Sequence, residues 1–192
     1  MNAEHMPQAV ARLFALFEKN KVDYVLVGGI AILQYVEGRN TQDIDFIVDL
    51  DTVERLTEWQ VTGRDEYFAR ATFEGLRVDL LLTTHPLFRL VREKYSAIRS
   101  FQDREARCAT VEGLLLLKLF ALPALYRKGQ LDKVALYEGD VFMLLPRSEV
   151  SLDFLFAELK PHLSESDFAE VRKIADEIFV RIQRFQHGLG TS

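Results

Sequence analysis

The segment that most constrains the fold runs from Tyr24 to Asp49 and reads YVLVGGIAILQYVEGRNTQDIDFIVD. An apolar run ends in Gly28-Gly29, a short amphipathic segment follows, and an Asp-Ile-Asp triplet then leads into a second apolar run. Glycine permits the sharp bend that a chain needs when it leaves a strand and enters a helix. The pattern therefore predicts a strand, a Gly-Gly turn, a short helix over residues 30–36 and a second strand.

Two carboxylates mark the start of the second strand. Asp43 and Asp45 are two residues apart, so their side chains should point to the same face of the sheet. Adjacent carboxylates repel each other unless a proton, a basic group or a divalent metal neutralises them. Hard oxygen ligands suit Mg²⁺ or Mn²⁺ held jointly with substrate phosphates. The alternative interpretation is a solvated strand end that also caps a helix.

The glycine turn could bind an anion through its backbone. Gly28 and Gly29 have no side chains, so their backbone N–H groups can receive phosphate oxygens at the start of the helix. Arg39 can add a forked contact to the same phosphate. The alternative for the glycine pair is a tight turn that binds no ligand.

A third carboxylate lies in the second strand of a hairpin predicted over residues 67–82. Asp79 shares a face with Arg77 in that strand. One interpretation is an ion pair between these two side chains. The other interpretation places Asp79 beside Asp43 and Asp45 as a further metal ligand.

These residues together resemble a known motif. The series Gly28-Gly29 … Gly38-Arg39-x-Thr41-x-Asp43-Ile44-Asp45 is similar to that of the nucleotidyltransferase superfamily, which includes DNA polymerase beta. Within the superfamily, it most resembles the minimal nucleotidyltransferases grouped with the AbiEii toxins of bacterial toxin–antitoxin systems. The motif covers about the first half of the chain, and the second half is similar only in outline.

The resemblance implies transfer of a nucleoside monophosphate from a nucleoside triphosphate to an acceptor, with two Mg²⁺ or Mn²⁺ ions at each site. It also implies a tRNA, a protein or a small molecule as acceptor, and an antitoxin protein as a partner. Carried over residue by residue, the catalytic and metal-binding residues are Asp43, Asp45 and Asp79. The implied nucleotide-binding residues are Gly28, Gly29, Arg39, Thr41 and Lys118. The sequence selects neither the acceptor nor the nucleotide.

Two departures from the family pattern keep other functions open. Many members carry a serine after the first glycine, whereas Gly29 and Ile30 supply no hydroxyl here. This departure supports the alternative of a catalytically inactive relative that binds a nucleotide or a partner. Gly129 stands where an acid is expected after Lys128, which leaves the role of Asp140 open. A structural protein whose C-terminal helices dimerise is the third candidate.

The composition of the chain excludes several classes of protein. The 192 residues are 48% hydrophobic and 28% charged, as in ordinary globular proteins, and the net charge of −5 disfavours a surface devoted to nucleic acid. A single cysteine, Cys108, cannot form an internal disulfide, and no apolar stretch is long enough to span a membrane. We therefore expect a cytoplasmic monomer or homodimer that has no contact with membranes.

We expect an α+β (α/β) fold, with a nucleotidyltransferase-like mixed β-sheet, flanking helices and a helical C-terminal part. The predicted domains are a core over residues 1–108 and a helical region over residues 109–192. Helical periodicity and caps predict helices over 7–19, 51–59, 85–94, 110–125, 131–145, 151–163 and 164–187.

Lys118 lies inside the apolar helix predicted over residues 110–125, which Thr110 is expected to cap. A lysine in such a helix must reach solvent with its charged end or meet an acid. The resemblance implies that Lys118 contacts the nucleotide, and the alternative is that its charged end reaches solvent.

Overall fold

The computed structural model describes residues 5–41, 43–101 and 104–189. The chain divides into two compact units, Met1–Ala109 and Thr110–Ser192. The first unit contains a mixed sheet with accompanying helices, and the second is helical throughout its described residues. The predicted fold class is therefore confirmed.

The sheet of the first unit is built from seven described strands. They are β1 (Tyr24–Val27), β2 (Asp43–Val48), β3 (Gln60–Arg64), β4 (Phe68–Phe73), β5 (Leu76–Leu82), β6 (Ser96–Phe101) and β7 (Arg104–Ala109). Their order across the sheet is β3-β4-β5-β2-β1-β7-β6. β2 runs antiparallel to β1 and parallel to β5, so β2 and β5 begin at the same edge of the sheet.

The described residues of the first unit form four helices: α1 (His5–Lys19), α2 (Gly28–Ile32), α3 (Leu50–Arg55) and α4 (Pro86–Lys94). On α1, the Phe14 and Phe17 rings meet the Phe46 ring edge-on, with centroid distances of 5.8 and 5.0 Å. Because strand residues alternate, the buried Phe46 directs its neighbour Asp45 to the opposite face of the sheet. The aromatic core thus holds β2 so that its carboxylates point away from α1.

The hairpin predicted over residues 67–82 is confirmed, since β4 and β5 pair antiparallel. Its turn residues, Glu74 and Gly75, have φ angles of 48° and 81°. Positive φ at both central residues is typical of the turns that join tightly paired antiparallel strands.

Three strands and the limits of several helices differ from the sequence expectations. β3, β6 and β7 were not predicted, and all five residues of β3 are exposed, so no burial alternation marks that strand. The helix expected over 30–36 begins earlier, at Gly28, and ends at Ile32, where bonds from residue i to i−3 replace the helical ladder. The helix expected over 51–59 ends at Arg55, and Trp59 is buried against Phe17.

The second unit contains four described helices: α5 (Val111–Arg127), α6 (Leu131–Leu144), α7 (Leu152–Leu159) and α8 (Glu165–Leu189). Short 3-10 turns at Leu145–Arg147 and Lys160–His162 follow α6 and α7. The predicted cap of α5 is confirmed, because the Thr110 hydroxyl accepts a hydrogen bond of 3.3 Å from the Gly113 backbone.

Candidate functional site

The pairing of β2 with β5 sets the three predicted metal ligands on adjacent central strands. Asp45 lies directly opposite Asp79, and Asp43 lies opposite Arg77, in parallel register. Residues opposite each other on paired strands share a face of the sheet. We call Asp43, Asp45 and Asp79 the carboxylate row.

Two arginines lie against the carboxylate row. Arg77 Nη2 is 3.6 Å from Asp43 Oδ2, and Arg70 Nε is 3.7 Å from Asp79 Oδ1. Charge-assisted hydrogen bonds are usually about 2.7–2.9 Å long, so these are loose ion pairs. Their side chains are also exposed, at 63% for Arg77 and 74% for Arg70, and such pairs contribute about 0–1 kcal/mol to stability.

The glycine turn packs directly against the carboxylate row. Gly28 has a φ of +66°, and a Cβ built there would fall 1.9 Å from Asp45 Oδ2. No side chain larger than hydrogen fits in that space, and the positive φ also favours glycine. The Asp45 carboxylate therefore lies where it can reach a ligand held by the backbone of the turn.

Gly29 brings the two other predicted phosphate contacts to the same turn. A Cβ at Gly29 would fall 2.7 Å from Thr41 Oγ1 and 3.4 Å from Arg39 Nη2. The Thr41 hydroxyl also lies 3.1 Å from the backbone oxygen of Asp43 and 3.2 Å from its Oδ1. Thr41 thus ties the loop before β2 to the first carboxylate of the row, and Arg39 donates to the Asn40 carbonyl in the same loop.

Lys118 lies on α5, in the helical unit. Its Nζ is 2.9 Å from Asp140 Oδ2 on α6 and 3.7 Å from the centroid of the Tyr137 ring. The Lys118 and Asp140 side chains are only 7% and 1% exposed. Lys118 therefore meets an acid within its own unit, one of the two outcomes that its apolar helix allows. Its contact with a nucleotide stays a prediction.

Among the described residues, no group of three or more His, Cys, Asp or Glu side chains is gathered to hold a metal ion. The donor set of the carboxylate row nevertheless suits Mg²⁺, which takes few carboxylates and shares its other positions with water and phosphate. Its two arginine contacts are loose and exposed, so a divalent cation can replace them at small cost. The chemistry of these donors therefore suits the predicted metal, although the three described carboxylates are not gathered as a complete ligand set.

A different network lies at the other end of β2, where the strand stops. Asp49 accepts a hydrogen bond of 2.7 Å from Arg92 Nη1 and another from the Thr83 hydroxyl. Burial alone would raise the pKa of Asp49, but these hydrogen bonds and the Arg92 charge outweigh it and lower that pKa. We call Asp49, Thr83 and Arg92 the Asp49 network, and its short contacts are those of a structural ion pair.

Sequence reasoning missed Arg70 as a neighbour of the site. The sequence of β4, FARATF, places Arg70 on the face opposite the buried Ala69 and Ala71. That alternation signals an outward arginine, but only the pairing of Arg70 with Asp79 brings it to the row. The two-residue turn of the predicted hairpin sets the register of these strands, so the sequence did contain a signal that could have placed Arg70 opposite Asp79.

Three solved structures have a similar fold, and two of them are described as nucleotidyltransferases or nucleotidyltransferase-like. An antigenic nucleotidyltransferase-like protein from Paracoccidioides brasiliensis has a TM-score of 0.58 at 13% identity, over 94% of this chain and 93% of that protein. A putative nucleotidyltransferase from Thermotoga maritima has a TM-score of 0.50 at 18% identity, over 69% and 94%. The antibiotic-resistance factor ANT(2'')-Ia has a TM-score of 0.50 at 12% identity, over 94% and 96%.

This chain therefore has a nucleotidyltransferase fold. No family model matches the sequence, and no curated protein matches it. The finer likeness to AbiEii-type enzymes stays a prediction from the sequence motif. In the described part of the chain, every helix is too short or too polar to cross a membrane.

Proposed function

We propose that this protein is a metal-dependent nucleotidyltransferase that moves a nucleoside monophosphate from a nucleoside triphosphate to an acceptor hydroxyl. The supporting observation is the contact of the glycine turn with Asp45, which itself lies opposite Asp79 on the neighbouring strand. The glycine turn and carboxylates from two strands thereby meet on one face of the sheet. The nucleotidyltransferase fold adds to this support.

In the proposed reaction, the acceptor oxygen bonds to the α-phosphorus, the bond to the bridging oxygen breaks, and pyrophosphate leaves. Asp43, Asp45 and Asp79 would hold two Mg²⁺ or Mn²⁺ ions, which would stabilise the attacking and leaving oxygens when bound. The Asp79 carboxylate would take the proton of the acceptor hydroxyl.

The glycine turn and its neighbours would hold the leaving phosphates. The backbone N–H groups of Gly28 and Gly29 would donate to phosphate oxygens, with no side chain in the way. Arg39 would add its guanidinium from beside Gly29. Thr41 would act through Asp43, whose carboxylate it contacts, and so would be a positioning residue.

A catalytically inactive nucleotide-binding relative is the second candidate. The observation that favours it is the absence of a hydroxyl at Gly29 and Ile30, where many family members have serine. An active enzyme of this sequence must rely on backbone donors and Arg39 for the phosphates. Metal-dependent triphosphate binding without any labelled product would favour the inactive relative.

The test is incubation with each labelled triphosphate, Mg²⁺ and a cell lysate, followed by detection of the labelled macromolecule or metabolite. The Asp43→Ala/Asp45→Ala variant should lose labelling, because two ligands of the row are gone. The matched control is Asp51→Ala/Asp153→Ala, which removes the same charge from two exposed positions on α3 and α7. Equal labelling by the Asp43→Ala/Asp45→Ala variant and the wild-type protein would contradict the proposal.

We further propose that the transfer acts as a toxin, as the sequence resemblance implies. Expression of the wild-type chain in bacteria should slow growth, and the Asp43→Ala/Asp45→Ala variant should not. Normal growth with active wild-type enzyme in the cell would contradict this role.

A further inference from the structure

We infer that Tyr35 is a positioning residue, which fixes the loop that carries Arg39 and so sets where its guanidinium meets the phosphates. This inference rests on the proposed function, in which Arg39 contacts the leaving phosphates. It adds to the site a residue that the sequence motif does not include. Its support is a hydrogen bond between distant parts of the first unit, and the place where that bond ends.

The Tyr35 side chain connects the chain after α2 to the strands on the far side of β1. Its hydroxyl donates a hydrogen bond of 2.9 Å to the backbone oxygen of Ala109, 74 residues further along the chain. Ala109 is the last residue of β7. The guanidinium carbon of Arg99, on β6, also lies 5.9 Å from the centroid of the Tyr35 ring. Tyr35 is therefore held by β6 and β7 together.

The hydrogen bond of Tyr35 ends beside the glycine turn. β7 runs parallel to β1, and Cys108 lies opposite Leu26. One residue further along both strands, Ala109 therefore stands beside Val27, which precedes the turn. Neighbouring strands are about 4.8 Å apart, so the chain returns through the Tyr35 side chain almost to the point where it left β1. The bond thereby closes the segment that begins at the glycine turn.

The loop that carries Arg39 is anchored on both sides. Residues 36–41 form neither helix nor strand, and a Cβ built at Gly38 in their middle would meet nothing within 4 Å. On one side of the loop, the Thr41 hydroxyl contacts the first carboxylate of the row. On the other side is the hydrogen bond of Tyr35. A loop with so few contacts of its own takes its conformation from its ends.

The size of the expected effect follows from what remains when the Tyr35 hydroxyl is removed. Val36, the next residue, is only 4% exposed, so the loop keeps an apolar contact at that end. The Tyr35→Phe variant therefore loses one neutral hydrogen bond and no packing. Loss of one such bond predicts a change of roughly 3-fold to 10-fold in triphosphate affinity.

The experiment measures binding of a fluorescent non-hydrolysable triphosphate to the full chain with Mg²⁺, using the base that the wild-type protein binds most tightly. The variants are Tyr35→Phe, Arg39→Gln and the double variant Tyr35→Phe/Arg39→Gln. The matched control is Tyr126→Phe, which removes a tyrosine hydroxyl that donates to Glu138 in the helical unit. Hydrogen exchange of residues 36–41 in the ligand-free proteins is the second measurement.

We expect Tyr35→Phe to bind the triphosphate roughly 3-fold to 10-fold more weakly, and Tyr126→Phe to bind it as the wild-type protein does. The double variant should bind no more weakly than Arg39→Gln alone, because the position of the loop has no effect once the guanidinium is gone. A tyrosine that only stabilised the fold would not produce this coupling. Backbone amides of residues 36–41 should exchange faster in Tyr35→Phe and at the wild-type rate in Tyr126→Phe.

Three results would overturn the inference. They are wild-type affinity in Tyr35→Phe, a double variant whose loss is the sum of the two single losses, and unchanged exchange of residues 36–41. Wild-type affinity in Arg39→Gln would overturn it as well, because Tyr35 would then have no phosphate contact to position. All four results leave the proposed function standing when the wild-type protein binds the triphosphate. Absence of that binding in the wild-type protein would contradict the proposed function itself.

Discussion

The two ends of β2 carry aspartates in opposite situations. At its start, Asp43 meets an exposed arginine at 3.6 Å, and Asp79 on the adjacent strand meets another at 3.7 Å. Just after its end, Asp49 is held at 2.7 Å by Arg92, whose side chain is only 18% exposed. The same strand therefore separates loosely paired carboxylates from a tightly paired one. Loose pairs leave carboxylates available to a ligand, whereas the tight pair fixes the strand.

The comparison also shows where backbone shape matters. At the start of β2, a glycine allows Asp45 to lie against the turn. Just after the end of β2, side-chain hydrogen bonds hold Asp49 in place. A site that must admit a ligand thus takes part of its order from the backbone, and its two arginine ion pairs are loose.

The largest expected effect comes from Gly28→Ala. The new methyl group would clash with the Asp45 carboxylate, and the alanine would have a strained positive φ. We therefore expect a destabilisation of about 2–4 kcal/mol, or displacement of Asp45 with loss of nucleotide binding. The control is Gly38→Ala, where φ is +78° but nothing lies within 4 Å of the added group. Urea unfolding measures both variants, and equal costs for the two would show that the contact with Asp45 has no consequence.

Asp49→Ala should destabilise the first unit by about 1–2 kcal/mol, because Arg92 and Thr83 lose a charged acceptor that is partly exposed. Asp43→Ala should cost less, about 0.5–1 kcal/mol, since its ion pair is loose and exposed and its hydrogen bond from the Thr41 hydroxyl is long, at 3.2 Å. Chemical denaturation of the two variants measures this difference. A larger cost for Asp43→Ala than for Asp49→Ala would reverse our comparison of the two ends.

The Asp49 network should also respond to pH. The pKa of Asp49 is lower in the folded protein than the value of about 3.9 in the unfolded chain. As the pH falls, the unfolded chain therefore binds more protons at this carboxylate than the folded protein does. The network therefore stabilises fully above about pH 4 and loses its contribution as the pH falls through the folded pKa. The difference in urea midpoint between the wild-type protein and Asp49→Ala should shrink below pH 4, and a difference that grows there would contradict the assignment.

The smallest effect is expected for the single variants Arg70→Gln and Arg77→Gln. Each should change the free energy of unfolding by less than about 0.5 kcal/mol, because exposed ion pairs contribute little. Denaturation at low and high salt should give nearly the same value for each variant. A cost well above this limit would mean that the arginines are structural and that the row is not loosely held.

Local patterns made much of the fold predictable. The apolar run before Gly28 and the alternation around Asp45 and Asp79 marked β1, β2 and β5 correctly. The cap at Thr110 marked the start of α5, because a threonine before an apolar run satisfies the first backbone donors of a helix. These features depend on residues close in the sequence, and such signals can be read without a structure.

Features set by distant pairing could not be read in this way. β3 is exposed along its whole length, so the burial pattern that defines a strand is missing there. The contact of Lys118 with Asp140 joins residues on separate helices. The sequence supplied these two charges, and only tertiary packing determined that they meet.

The most direct test of the account is calorimetric titration of Mn²⁺ with triphosphate into the wild-type protein, Asp45→Asn and Asp49→Asn. Asp45 and Asp49 stand near opposite ends of the same strand, and both variants remove one charge at nearly constant volume. We predict that metal-dependent triphosphate binding is lost in Asp45→Asn and retained in Asp49→Asn. Equal binding by the wild-type protein and Asp45→Asn would contradict the claim that the carboxylate row is the functional site.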